Sequence, residues 1–554
     1  MKSTGKTKIL GASLGNCVHV AGILNFLNLA QRYGYETIFL GPAVSTANVS
    51  EAIKTHDPDL TALSYRLTPA VLKKLLVELK EEVKENSWQR KTFIFGGTPP
   101  TAEVASQSGL FEAVFGGTES LEEITSFLEG KTEKLKTGEI PPQNLIDRIA
   151  FNGTYPLLRH HFGLPTVRET VEGAKDIALS EAVDILSIGP DQNAQESFFR
   201  PEEIKKSQDG AGGVPLRKPE DLETIYQATR CGNHPLVRCY SGTRDLIQWA
   251  EMSLKTIHIA WGAVPLCWYN RLDGRSDRLP EESIGENQQV MEWYGKNRIP
   301  LEVNESHHWS LRNAPDTVAV AAAFLAAYNA KKAGVSHYVA QYMFNTPAQT
   351  SPLMDLAKML AKIELIESLH DENFTSIRQT RTGLACMSPH PDMAKGQLGS
   401  SSLFQLSVEP KIIHVVGFCE GDHAATPSDI IESANITRGV IENYFLGSPR
   451  IHDDPRIKER KEELVDQAKF LLQAIKNISS GNVEDPWIDP NNLARAILMG
   501  FLDAPHLVGN PHADGKVITQ IRNGACYAVD ADSGNVLSEK ERISRILASP
   551  ETKK

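Results

Sequence analysis

The chain has 554 residues, 41% of them hydrophobic and 23% charged, with a formal net charge of -11 at pH 7. That length and composition suit a globular protein with two to four well-buried cores and exclude disordered and fibrous classes. An acidic balance spread along the chain argues against nucleic acid or an anionic membrane surface as partner, since both ask for basic patches, and leaves small-molecule chemistry as the expectation. In chain order, the first residues lack the apolar run of a secretory signal. From residue 8 to about 129, short β runs at 8–10, 37–40, 60–63, 92–95 and 113–115 alternate with helical stretches, among them 23–33 and 70–84. This predicts a doubly wound, Rossmann-like α/β domain over 1–129, whose ligands belong at the carboxyl ends of the strands.

A lysine-rich connector leading to Pro141-Pro142 reads as a linker over 130–150. Beyond it, apolar strands at 185–188, 236–238, 337–340 and 412–416 alternate with helices such as 318–333 and 354–368. That rhythm predicts a (β/α)8 TIM-type barrel over 151–480, with its chemistry on the loops after the strands. A charged helix over 458–477 reads as a solvated outer helix. The segment 481–554 should pack on the barrel, passing through Gly- and Asn-rich loops to a short strand at 526–529. No apolar run is long enough to span a bilayer, so a cytoplasmic location is expected. Seven scattered cysteines without a CxxC pair fit reduced thiols better than a disulfide framework or a zinc site.

The most informative residue is His19, in the run Gly15-Asn16-Cys17-Val18-His19-Val20-Ala21-Gly22 between the first strand and the first helix. An imidazole whose Nε2 points out of such a loop can ligate a metal, usually with a carboxylate on its other nitrogen. A lone histidine at a first βα turn is more often incidental. Here Leu63-Ser64-Tyr65 follows the third strand, and Gly96-Gly97-Thr98 and Gly116-Gly117-Thr118 follow later ones, where glycine lets a ligand approach the backbone. Taken in order, these features resemble the B12-binding domain of base-off, His-on mutases and methyltransferases, over about 125 residues.

The resemblance implies a cobalamin cofactor with His19 as the lower axial ligand of cobalt. Asn16, Cys17, Val18, Val20 and Gly22 would form its loop, Ser64 and Tyr65 would meet the dimethylbenzimidazole tail, and Gly96, Gly97, Thr98, Gly117 and Thr118 would line the nucleotide loop. The family pattern is Asp-x-His-x-x-Gly, and Cys17 stands at the Asp. A flavodoxin-like or degenerate module that has lost the cofactor is the competing reading, and Cys17 is its best support.

From about residue 155 onward the chain resembles the catalytic epsilon subunit of glutamate mutase (methylaspartate mutase). The resemblance runs through Gly212-Gly213-Val214, Arg238, Trp268-Tyr269-Asn270 and Val415-Val416-Gly417-Phe418 to Leu502-Asp503-Ala504-Pro505, Gly509-Asn510, Gly515-Lys516 and Gly524-Ala525-Cys526. It implies radical isomerisation with adenosylcobalamin, more than methylcobalamin, on a small carboxylate, and a homodimer through the barrel. The family clasps its substrate carboxylates with three arginines; Arg238 matches one, while His161 and Gln195 occupy the other two places. Ala263 replaces the glutamate that receives the substrate ammonium, Tyr269 keeps one of two tyrosines and Asp273 replaces the other, so glutamate itself is not the expected substrate.

Asp422 matches a glutamate at the adenosyl ribose, whereas Phe418 replaces its lysine partner. Arg238, Tyr269 and Asp422 are therefore the expected catalytic residues, with substrate contacts from His161, Gln195, Arg238, Tyr269 and His307, the last from the polar run after a strand at 300–303. Two adjacent histidines, His307 and His308, would point to opposite sides of a strand and so make a poor joint metal site. A corrinoid methyltransferase is the first alternative, and a cobalamin-binding carrier or sensor the second.

Overall fold

The computed structural model describes residues 7–117, 119, 124, 127–128, 140–240, 242, 244–448, 450–479 and 483–548. The chain divides into two compact units, Met1–Glu139 and Ile140–Lys554.

In the first unit, β1 (Lys8–Ser13), β2 (Glu36–Phe39), β3 (Leu60–Tyr65), β4 (Thr92–Gly97) and β5 (Ala113–Phe115) form a parallel sheet in the order β2-β1-β3-β4-β5. Alternation along the strands feeds two cores. Ile9, Leu60, Ala62 and Ile94 pack with Ile23 and Leu27 of helix Ala21–Arg32. On the other face, Leu10, Leu63, Phe93 and Phe95 pack with Leu72, Leu76 and Leu79, the buried stripe of helix Pro69–Glu85. Because the order reverses between β1 and β3, the carboxyl ends of those two strands flank a topological switch point, where such sheets open a crevice.

The second unit is the eight-stranded barrel that the sequence predicts. Its strands are β6 (Leu157–Phe162), β7 (Ile185–Ile188), β8 (Leu236–Cys239), β9 (Gly262–Val264), β10 (Leu301–Val303), β11 (His337–Phe344), β12 (Thr375–Thr382) and β13 (Ile412–His414). They are parallel and run in chain order around the sheet, with β13 paired to β6. The seam between β8 and β9 is bridged by the Ala260 amide, which donates to the Val237 carbonyl at 2.9 Å, so the sheet is nearly closed. Leu157, Ile185, Leu236, Trp261, Val339, Ile377 and Ile412 close the amino-terminal end with an apolar layer.

Two regions differ from the sequence reading. The outer helix Pro455–Asn477 is solvated on one face only: Ile457, Leu464, Ala468, Leu471 and Ile475 are buried in the main barrel core. The carboxyl-terminal loops contain a hairpin, β14 (Ile518–Arg522) with β15 (Ala525–Val529), joined by Asn523 and Gly524 at φ 50° and 82°. Both turn residues are left-handed, as a tight two-residue hairpin turn requires, and Asn-Gly is its usual sequence. The hairpin is tied in through Asp316 at the start of helix Asp316–Lys332. That buried carboxylate accepts from Lys358 Nζ at 3.0 Å, Arg460 at 3.2 Å and the Cys526 amide at 3.0 Å. Among the described residues, no helix is long and apolar enough to cross a membrane.

Candidate functional site

In the first unit the loop after β1 presents His19 and Val18 to solvent, while Cys17 is fully buried beneath them. The Cys17 Sγ lies 3.8 Å from His19 Nδ1 and accepts from the Arg66 amide at 3.4 Å. The thiol thus stands beside the ring nitrogen that a carboxylate would orient, but as a weaker partner. Tyr65 packs in the same core as Cys17 and donates its hydroxyl to Asn16 Oδ1 at 3.1 Å, so it holds the loop. Val20 precedes helix Ala21–Arg32, and a side chain at Gly22 would meet nothing within 4 Å among the described residues.

A row of three residues crosses the switch point. Ser13 pairs in register with Ser64, and Ser64 with Gly96. The hydroxyls of Ser13 and Ser64 are buried, with no hydrogen-bond partner among the described residues. A Cβ on Gly96 would find open space, again among those residues. Two orphaned hydroxyls beside an open glycine are what a polar ligand at this edge would satisfy, since an unpaired buried hydroxyl is costly. Sequence reasoning missed Ser13, although its place at the end of β1 was the available signal.

The neighbouring residues have different tasks. Gly97 cannot carry a side chain, because a Cβ would lie 2.8 Å from the Tyr65 carbonyl. The Thr98 amide donates to Thr101 Oγ1 at 2.9 Å, so Thr98 opens helix Pro99–Ser108. The Gly117 amide donates to Glu119 at 2.8 Å, and Thr118 lies outside the described residues.

Above the apolar layer of the barrel the inward positions turn polar. Arg159 donates to Ser187 Oγ at 2.7 Å, Gln379 Oε1 at 2.7 Å and Glu302 Oε2 at 3.4 Å. Glu302 also accepts from Trp261 Nε1 at 2.9 Å. Gln379 passes the network to Gln341 at 3.3 Å, and Gln341 donates to His307 Nδ1 at 3.1 Å. Arg238 is different: it is fully buried, and none of its three guanidinium nitrogens has a hydrogen-bond partner among the described residues. Its guanidinium sits 5.0 Å from the Trp261 ring centre and 5.3 Å from that of Tyr240, with Glu302 4.0 Å away. Arg381, two residues beyond Gln379 on β12, also leaves its Nε without a partner among the described residues.

Two guanidiniums, those of Arg159 and Arg238, therefore face the Glu302 carboxylate. Burial alone would raise Glu302, but Arg159 and Arg238 hold it below its ordinary range, while burial and Arg238 push Arg159 down to about 9. The surrounding histidines add no compensating or further charge. Burial first, then Arg159 and Arg381, hold His161 and His414 well below the usual imidazole range; burial and Arg381 do the same for His307. His161 stacks on His414 at 4.4 Å and accepts at Nε2 from Arg159 at 2.9 Å and from the Tyr240 hydroxyl at 3.2 Å, so its proton is on Nδ1.

The other expected contacts divide. Tyr269 is buried against His308, with Arg275 4.4 Å over its ring, and burial pushes its hydroxyl up to about 12. Asp273 accepts the Tyr269 and Asn270 amides and so shapes that turn. Gln195 donates its amide to the Pro190 carbonyl at 2.9 Å. His307 and His308 lie on the short helix Ser306–Ser310, their rings 4.6 Å apart, not on a strand. Asp422 is exposed and binds His423. Ala263 pairs in register with Glu302, so a carboxylate stands one strand away from where the resemblance expects it. Phe418, at the place of the family's lysine, has Lys395 Nζ 4.7 Å over its ring. Arg159 and Arg381 were missed, because a polar residue inside a strand does not by itself show that it points inward.

Residues 7–125 match the family model for the B12 binding domain. Among solved structures, a cobalamin-binding protein from Desulfitobacterium hafniense DCB-2 is similar at 22% identity and a TM-score of 0.20, over 22% of this chain and 58% of that one. The chain thus spans little more than half the length of that protein. A Rubisco-like protein from Rhodopseudomonas palustris is similar at 11% identity and a TM-score of 0.31, over 56% of this chain and 70% of that one. Likenesses this slight say nothing of activity. No curated protein matches the chain.

Proposed function

We propose that this chain, with its amino-terminal B12 binding domain, is a cobalamin-dependent enzyme that rearranges the carbon skeleton of a small carboxylate other than glutamate. The observation that carries the substrate class is Arg238. A guanidinium buried with no hydrogen-bond partner among the described residues, sharing a single carboxylate with Arg159, is an expensive arrangement unless an anion completes it. A substrate carboxylate would accept from Arg238 and offset the surplus charge.

The orphaned hydroxyls of Ser13 and Ser64 and the open space at Gly96 fit a cofactor tail, and exposed His19 would hold the cobalt. Cobalamin, when bound, would supply the cobalt centre and the radical chemistry of an adenosyl form. The chain's own residues would do the rest. Arg238 would bind and orient the carboxylate, neutral His161 would be held by Arg159 and Tyr240, and the aromatic wall of Trp261 and Tyr240 would keep water out. Glutamate is disfavoured because Ala263 offers its ammonium no partner and Glu302 is already held by Arg159 and Trp261.

The test is anaerobic purification in the dark from cobalamin-fed cells, followed by incubation with adenosylcobalamin deuterated at its 5′ carbon and a panel of small acids. Deuterium appearing in one acid and in its isomer supports the proposal. Deuterium retained in the cofactor with every acid, together with methyl transfer from methylcobalamin, would replace it with the methyltransferase reading.

A further inference from the structure

Outside the network just described, Cys419, His423 and Asp429 bring a thiol, an imidazole and a carboxylate together, their nearest ligand atoms all within 4.8 Å of one another. They lie on the loop after β13 and in the first turn of helix Pro427–Leu446. One tight turn sets the first two: the Asp422 and His423 amides both donate to the Cys419 carbonyl at 2.8 Å. Asp429 comes from the helix, where Thr426 fixes its carboxylate by capping hydrogen bonds. His423 Nε2 stands 3.5 Å from Asp429 Oδ2, and its Nδ1 is 2.9 Å from Asp422 Oδ2.

We propose that Cys419, His423 and Asp429 form a zinc site on the rim of the barrel, with Asp422 orienting the histidine. Ligands about 2.0–2.3 Å from a tetrahedral zinc stand roughly 3.3–3.8 Å apart, so the His423 and Asp429 atoms are already at the required spacing. A carboxylate behind the other imidazole nitrogen is the arrangement that fixes a metal-bound histidine, and it supplies an independent sign that Nε2 is the ligating atom. A thiolate, an imidazole and a carboxylate suit Zn²⁺ and not the oxygen-loving Mg²⁺ or Ca²⁺, and the two anionic ligands balance its charge. Three protein ligands leave a fourth position open, on the side where the His423 side chain is 52% exposed. That position would take water or a thiol and lower its pKa. The neighbouring Glu420 reaches His160 Nε2 at 3.5 Å, which ties the same loop to the interior of the barrel. Scattered cysteines hid this site in the sequence, because its ligands come from one turn and one helix with no paired-cysteine spacing. The site stands whichever reaction the barrel runs.

The experiment uses the full chain, purified without cobalamin and stripped with EDTA, then titrated with Zn²⁺ alone and, separately, with Co²⁺ alone. One zinc per chain and a thiolate-to-cobalt charge-transfer band are expected. C419S should abolish the band and weaken zinc binding at least 100-fold; H423A, at an exposed position that leaves folding intact, should do the same to zinc. D422N should weaken it roughly tenfold, and C231S should change nothing. Failure of the wild-type chain to bind stoichiometric zinc, or unchanged binding in both C419S and H423A, would overturn the proposal.

Discussion

At the switch point of the first unit, β1 and β3 offer two neutral hydroxyls beside an open glycine of β4, whereas the interior of the barrel packs two guanidiniums around a carboxylate. The first arrangement is the less costly when empty, because an unpaired buried hydroxyl carries a desolvation penalty but no charge. The second is costly when empty, because charge is taken out of water without full compensation. The contrast teaches that the two units would recognise their ligands differently. One would do so by shape and a single exposed imidazole, the other by charge.

Acid should expose that contrast most strongly. Burial holds His160, His161, His307, His308 and His414 below the ordinary imidazole value of 6.5 in the folded barrel. The unfolded chain therefore binds more protons, and the stability these groups contribute is full above that value and falls as the pH drops through and below it. Each can lose up to about 1.4 kcal/mol per pH unit. Denaturant midpoints measured at pH 7.5 and 5.5 should show the barrel losing several kcal/mol; a flat profile would mean that the histidines are charged in the folded state.

Replacing Arg238 by methionine comes next in size. Carboxylate binding, followed by calorimetry with the best acid from a small panel, should weaken about 100-fold, the ~3 kcal/mol of a charge-assisted hydrogen bond. The melting temperature should hold or rise, because Arg159 still partners Glu302. A fall of several degrees would instead make Arg238 a structural residue and erase the contrast. For the first unit, His19→Ala should remove the imidazole-coordinated corrin spectrum and weaken corrinoid binding on the order of tenfold, without changing apoprotein stability, since the side chain is exposed. Unchanged spectrum and affinity would remove His19 from the site.

The smallest effects sharpen the comparison. Ser64→Ala should reduce corrinoid affinity by the ~1 kcal/mol of one neutral hydrogen bond, read by equilibrium dialysis, and an unaltered constant would show that its hydroxyl meets no ligand. Cys17→Asp should strengthen binding severalfold by giving His19 Nδ1 a better acceptor; weaker binding by a folded variant would mean that the buried thiol is required.

The fold was legible because strand and helix periods alternate cleanly and the glycines fall at strand ends. The corrin row was partly legible: His19, Ser64 and Gly96 sit at strand ends, but Ser13 joins them only through the register of β1 with β3. Inside the barrel, Arg238 was found through resemblance, while Arg159 and Arg381 were not, since inward direction depends on how eight strands close. The β14–β15 hairpin was missed despite its Asn-Gly turn, because few apolar residues flank that turn on the first strand.

Asp316 has a consequence for how the protein is made. Its three partners lie 42, 144 and 210 residues further along the chain. On the ribosome, Lys358 arrives first, Arg460 much later and the Cys526 amide last, so the carboxylate receives its final partner only after the barrel strands have all been synthesised. The hairpin therefore acts as a late latch: until it is made, the Asp316 carboxylate has both cationic partners but lacks the Cys526 amide that completes its hydrogen bonding.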